Sequence, residues 1–456
     1  MFRSLGLFNY RLWFLGALIS NVGAWMQATA QDWVVLTELT DHDATAVGIT
    51  MACQFGPPLV LVSLTGWAAD RFDRRKMLMV TQSLLGVLSV VIGVLLLLDV
   101  LTLPMMLALA VAFGVVNAFD SPARQAFVTD IVGRSHASNA VALNSASFNM
   151  ARLIGPAVGS LLLIALGSGW VFVVNALTFL AMLTALLAMH RDELQPRAKK
   201  GSGTGRLADG FRYVRGRADL LVTFAIAFLV GAFGLNFPIY ASTMAVEFGR
   251  DADGYGLLSS TLAVGSLAGA LMAARRDRAR LRVVIAAAGA FGIALIVSAM
   301  MPSYLSYAAV CVLVGFASVT MLTTANGFVQ TTTDPALRGR VMALYMAVIM
   351  GSTPVGAPVI GFLADAWGPR AAIVAGGVSG IASAVIGGIW LVASGRLHRP
   401  DGDTGFLAFT IDETRPITVV TPTVAPEEFS DAGAQTTPIR AMLDEDDEDP
   451  APPRRR

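Results

Sequence analysis

The feature that most limits what this chain can become is a recurrent one. Long apolar runs, separated by short charged or turn-rich breaks, lie at about 12–36, 46–68, 77–98, 104–122, 140–164, 169–189, 219–246, 255–274, 282–300, 304–326, 341–364 and 371–393. A bilayer core takes about 20 helical residues to cross. Hydrocarbon offers no water to backbone amides, so a crossing segment is either a helix or a strand of a closed barrel. Barrel strands alternate apolar with polar residues instead of running continuously apolar. The pattern therefore predicts an all-α membrane protein with twelve transmembrane helices. Charged residues make up only 14% of the 456, against about 25% in soluble domains, which excludes a soluble enzyme. Ala28-Thr29-Ala30 mimics a leader-cleavage site, but eleven further runs need the first as their anchor.

Basic residues give the runs a direction. If the N-terminus is placed inside, 30 of the 33 lysines and arginines fall on its side; Arg152 lies within the fifth run, and only Arg250 and Arg370 fall opposite. This bias predicts a multi-pass protein of the cell membrane with both termini cytoplasmic.

The longest internal polar stretch, 190–218, divides six runs from six. It is expected to be a cytoplasmic linker between an N-terminal six-helix lobe, 1–189, and a C-terminal six-helix lobe, 219–395. Val141-Ala142-Leu143 resembles Met342-Ala343-Leu344, and Gly155-Pro156-x-x-Gly159 resembles Ala357-Pro358-x-x-Gly361 about 202 residues on. Matches in a common order support two parallel repeats, as in two-lobed carriers. From 396 the character changes: residues 401–456 hold 13 acidic residues and five arginines. Such a segment buries too little apolar surface to fold alone, so 396–456 is expected to be a disordered cytoplasmic tail, a docking motif being the alternative.

Cys53 and Cys311 fall within apolar runs and the four histidines are scattered, so neither a disulfide framework nor a metal site is expected, and no cofactor. A P-loop needs a Gly-Lys pair, but Lys76, Lys199 and Lys200 follow Arg, Ala and Lys. What remains is solute movement driven by a gradient, or a downhill path.

Several motifs carry chemistry. The break between the second and third runs reads Gly66-Trp67-Ala68-Ala69-Asp70-Arg71-Phe72-Asp73-Arg74-Arg75-Lys76. This resembles the loop signature G-x-x-x-D-R-x-G-R-R of the major facilitator superfamily, with Asp73 in place of the second glycine. The fourth run continues into Phe119-Asp120-Ser121-Pro122-Ala123-Arg124-Gln125-Ala126-Phe127, similar to the enterobactin-exporter and macrolide-efflux branch of drug:proton antiporters. The resemblance spans about residues 1–395 and implies a latch on the cytoplasmic side made of Gly66, Asp70, Arg71, Arg74, Asp120 and Arg124. Physically, Gly66 allows close helix approach, Asp70 can face a helix N-terminus, and Arg74 can bridge carboxylates. Phe113, Asn117, Asp120 and Arg124 are spaced to share one helix face, so Asp120 is expected to complete the relay of Asp70 and Arg74. The plainer alternatives are a topogenic basic loop and charges that snorkel to the interface.

The fifth run carries Arg152 and then Gly155-Pro156-Ala157-Val158-Gly159-Ser160, which resembles the antiporter motif G-P-x-x-G-G. Small residues here serve close packing or a bend, and a direction-determining role stands beside that reading. An unpaired arginine in hydrocarbon costs about 3 kcal/mol or more, so Arg152 must face the interior or the interface, with Asp120 a candidate partner. Asp32, toward the far end of the first run, either couples to protons in a cavity or sits at a wet helix end.

The family resemblance implies a central cavity among helices 1, 4, 7 and 10. Candidate lining residues are Asn21, Trp25, Gln27, Asn117, Phe233, Asn236, Phe237, Tyr240, Thr323 and Asn326, with helix packing the alternative for the aromatic stripe. The expected activity is proton-coupled efflux of small amphipathic compounds of drug or siderophore type by alternating access, from a monomer whose partners are the bilayer, the solute and protons. Import, proton-independent exchange and a non-transporting scaffold acting through its acidic tail are the alternatives.

Overall fold

A computed structural model of the chain describes residues 3–194, 207–276, 279–394, 397–398 and 410–411. One compact unit is Met1–Arg415; the second, Pro416–Arg456, lies outside the described residues. So do 195–206 of the expected linker and almost all of the expected tail.

The first half opens with α1, Phe8–Thr37. Next comes α2, Ala44–Val60, whose N-cap Asp43 accepts from the Ala46 amide. Pro57 and Pro58 lie inside its last turn, and removed donors and ring clashes bend helices; α3, Val62–Arg71, leaves at about 60°. Asp73 caps α4, Arg74–Leu97, by accepting from the Lys76 amide at 2.9 Å. The residue that departs from the loop signature thus serves as an N-cap, in an extended conformation that needs no glycine. In α5, Leu103–Leu166, Gly133 takes φ 69° and ψ 178°, which a residue with a Cβ rarely adopts. It separates two arms, Leu103–Gly133 and Asn139–Leu166. The half closes with α6, Ser168–Ala188.

In the second half a short amphipathic helix, α7, Leu207–Arg215, precedes α8, Ala218–Leu229. A π turn at Val230–Gly234 leads into α9, Phe237–Glu247, so that α8 and α9 form one span. The remaining helices are α10, Ala252–Ala274, α11, Leu281–Ala299, α12, Tyr304–Thr332, α13, Arg338–Trp367, and α14, Pro369–Ala393. A capping box of Ser303 and Ser306 starts α12. Leu397–His398 and Thr410–Ile411 pair antiparallel.

Among the described residues, ten helices are long and apolar enough to cross a membrane, or eleven if the bent pair α2 and α3 is one span. The expected first span forms α1, which is outside that set; Asn21, Gln27, Gln31 and Asp32 dilute its apolar character. Apolarity alone therefore supports ten or eleven of the twelve. Outward side chains such as Leu161, Leu305 and Ile389 are 64–72% exposed, a surface that would associate in water and that suits lipid.

Within the first half α1 packs on α5 and α6, and α4 on α6; within the second, α10 packs on α12, and α11 on α12 and α14. The halves meet where α2 crosses α13 and α5 crosses α10. Small residues set that distance: a Cβ on Gly48 would strike the Ala357 carbonyl, one on Gly361 the Ala44 carbonyl, and one on Gly256 the Ser160 hydroxyl.

Candidate functional site

The chemistry falls at three levels along the bundle. At the arginine-rich end, α4 begins with Arg74, whose guanidinium donates to both Asp130 oxygens at 2.8 Å and lies 3.8 Å from Asp70. Asp130 sits near the end of the first arm of α5, so this pair ties α4 to α5. Asp120 is buried and accepts from Thr81 Oγ1 at 2.7 Å, Gln82 Nε2 at 2.8 Å and Arg124 Nε at 2.9 Å. The expected relay is thus rearranged: Asp120 pairs with Arg124, one turn along its own helix, while Asp130 takes the place beside Arg74. Arg71 lies over the Trp67 ring at 5.9 Å. Gly66 has no atom within 4 Å of where a Cβ would stand, so the close approach expected there is not made in this conformation. In the second half, Arg217 forms an ion pair with Asp219 at 2.7 Å and Arg340 with Asp209 at 3.4 Å. Each of these pairs joins residues of one half.

Midway along the bundle, Gly155 and Gly159 bring the second arm of α5 onto α1; a Cβ at Gly159 would lie 2.8 Å from the Met26 carbonyl, and one at Gly155 would meet Trp25. That contact places Arg152 over the Trp25 ring at 5.6 Å, with Phe148 edge-on to the same ring. Asp120, a candidate partner, is engaged elsewhere. Arg152 reaches a cavity of about 100 Å³ that is otherwise walled by the second half, Phe237 included.

The other expected cavity residues divide. Gln27 is turned away: its Oε1 accepts from Ser89 and Asn175, tying α1 to α4 and α6. The buried Asn236 amide donates to the Ala232 carbonyl, and the Tyr240 hydroxyl donates to the Phe233 carbonyl, so both brace the segment around the π turn. Thr323 is exposed and bonds back to Val319 at 2.6 Å. Asn21, Trp25, Asn117, Phe233 and Asn326 are half-buried.

At the arginine-poor end the halves are joined. Asp32 on α1 is 8% exposed and accepts from the Tyr255 hydroxyl of α10 at 2.9 Å, while Trp33 stacks on Tyr255 at 6.3 Å. Asp365, near the end of α13, accepts from the amides of Ala44 and Thr45 at 2.8 Å each and from the Thr45 hydroxyl. A carboxylate thereby crosses the seam to cap the N-terminus of α2, where a negative charge is favoured. Glu38 accepts from Ser168 at 2.8 Å; burial raises its carboxyl above the ordinary value, opposed by the Ser168 bond and reinforced by Asp99.

Reading the sequence alone misses Asp130, Tyr255 and Asp365. A signal for Asp365 exists: Gly361-x-x-x-Asp365 repeats the spacing of Gly66-x-x-x-Asp70. Tyr255 carries no such mark.

Two helical bundles joined by Asp32–Tyr255 and Asp365–Thr45 at one end, with charge pairs inside each bundle at the other, have the architecture of a membrane carrier, and the family match assigns the chain to transport proteins and not to enzymes. The chain belongs to the transmembrane secretion effector family of the major facilitator superfamily, whose model matches residues 4–398. It is 27% identical over 373 residues to the multidrug efflux pump Tap of Mycolicibacterium fortuitum, covering 79% of this chain and 90% of that one. It is 24% identical over 396 residues to the enterobactin exporter EntS of Salmonella typhimurium, covering 86% and 93%. Its fold resembles the crystal structure of a D-xylose-proton symporter, with a TM-score of 0.68 at 14% identity, covering 82% of this chain and 96% of that one.

Proposed function

We propose that the protein is a secondary active exporter that moves small amphipathic compounds, of drug or siderophore type, out of the cell in exchange for protons. The observation that carries this reading is at the seam: Asp365 and Tyr255 join the halves at the arginine-poor end, whereas at the arginine-rich end the pairs Arg74–Asp130, Arg124–Asp120 and Arg340–Asp209 of the described residues each stay within one half. With the basic end and both termini in the cytoplasm, as the distribution of lysine and arginine supports, this is an inward-facing carrier ready to load from the cytoplasm. The relatives named as an efflux pump and an exporter support the outward direction. In this reading α1 and the bent pair of α2 and α3 complete twelve spans in two lobes, 1–189 and 219–395, joined by the linker 190–218.

On rocking to the opposite state, the far end opens and the basic end closes, drawing Gly66 and Asp70 of α3 against the second lobe while Arg74, Asp120 and Arg124 hold the ends of α4 and α5. Asp70→Asn should therefore cut turnover several-fold and leave membrane abundance near wild type; normal turnover at reduced abundance would contradict the latch.

The direct test is accumulation of a panel of lipophilic dyes, antibiotics and siderophores in everted vesicles under an imposed pH gradient. Uptake that collapses with the gradient is the expected result. Uptake indifferent to the gradient, or flux only in the opposite direction, would overturn proton-driven export.

A further inference from the structure

The cavity between Arg152 and the second half contains one charge and, among the described residues that line it, no carboxylate to balance it. Arg152 enters from the first half, while the rest of the wall comes from the second, including Leu235, Phe237, Leu262 and Phe291. Ser318 is the other polar side chain among the residues lining it, and its hydroxyl is committed to the Gly315 carbonyl at 2.9 Å. The guanidinium has the Trp25 ring at 5.6 Å and, among the described residues, no carboxylate. A ring face offsets only part of the charge of a guanidinium. The carboxylates that could answer it are engaged elsewhere: Asp32 with Tyr255, Asp120 with Thr81, Gln82 and Arg124, Asp219 with Arg217, and Asp365 with the start of α2.

The guanidinium is half-buried and lines the cavity, so an anion that enters there meets a positive charge that no carboxylate of the described residues shares. We propose that Arg152 receives the anionic headgroup of the transported solute, so that the substrate class is amphipathic organic acids. This rests on the transport reading of the same cavity. A volume of about 100 Å³, that of about three waters, fits a carboxylate-sized group, and the apolar walls accept the carbons next to it. Position agrees with this role: Arg152 stands at the middle of the arm Asn139–Leu166, where carriers of this architecture hold their solute. Because Arg152 belongs to one half and the walls to the other, a bound acid bridges the two bundles that must move against each other.

Two other sources carry the same charge, an inorganic anion and a lipid headgroup. The test uses full-length protein in phosphatidylcholine nanodiscs and chloride-free buffer, titrated with 2-naphthoate or its uncharged methyl ester and read by dissociation constant and by unfolding midpoint. The acid is expected to bind at least tenfold more tightly than the ester and to raise the midpoint. Arg152→Gln should erase the difference and Arg152→Lys keep part of it. Equal binding of acid and ester, or full discrimination by Arg152→Gln, overturns the proposal. So does displacement of naphthoate by millimolar chloride or by phosphatidylglycerol in the nanodisc, which would assign the charge to that anion. If Arg152→Gln does not fold, the wild-type contrast and the lysine variant still decide. Binding requires no flux, so failure of export in vesicles and failure of acid recognition are separate results.

Discussion

Asp32→Asn is expected to reduce gradient-driven accumulation in everted vesicles by roughly tenfold or more, a transition-state or coupling loss of about 1.4 kcal/mol per factor of ten, while solute exchange without a gradient continues. The asparagine keeps the size of the side chain and an acceptor for the Tyr255 hydroxyl, which is 2.9 Å from the carboxylate, so the seam between α1 and α10 survives. What is lost, on the proposed reading of proton-driven export, is a carboxyl that can take up and release a proton. Tyr255→Phe separates the two roles, because it retains the carboxylate and removes the bond. Leaving a buried acceptor unsatisfied costs about 1–3 kcal/mol, so this variant should load the far-open state more heavily and still respond to the gradient. Wild-type accumulation by Asp32→Asn would move coupling to another residue.

Asp365→Ala should open the arginine-poor end. The change removes three acceptor contacts, from the Ala44 amide, the Thr45 amide and the Thr45 hydroxyl, and also a charge at the N-terminus of α2. Hydrogen bonds to a charged group are worth about 1.5–3 kcal/mol each without being additive, so a net loss of about 3 kcal/mol shifts a two-state population by roughly a hundredfold. A reporter is at hand in Ala357, fully buried where α13 meets Gly48. With Cys53 and Cys311 replaced, a cysteine at position 357 should react slowly with a membrane-impermeant maleimide in the parent and many-fold faster after Asp365→Ala. Unchanged labelling would show that the seam holds without this carboxylate.

The helices were legible because hydrocarbon enforces a uniform code. The expected 169–189 became Ser168–Ala188, and 371–393 became Pro369–Ala393. The errors have a common physical source. Hydropathy marks where a helix leaves lipid, not where it ends, so the run 104–122 continues as helix to Gly133 on the strength of local pairs such as Asp120 with Arg124. Conversely α1 crosses the bundle with a polar sequence because its buried Gln27 is satisfied by Ser89 and Asn175. That network also explains why Gln27 does not reach the cavity: periodicity groups residues on a face without saying what the face meets. Partners one turn apart could be read, whereas Asp32 with Tyr255 and Asp365 with Thr45 join positions separated by more than two hundred residues. Asp130 lay between these cases, close in sequence to the relay but hidden by the more familiar candidate, Asp120.

The carboxylate that closes the seam also makes the two sides of that contact unequal in how they can drift. On α13 it depends on a single side chain, that of Asp365. On α2 two of its three donors are main-chain amides, which every residue but proline supplies. A change of side chain at position 45 therefore removes the hydroxyl contact but leaves both amide donors in place, whereas position 44, buried against Gly361, is held to a small residue by packing and not by the bond it gives.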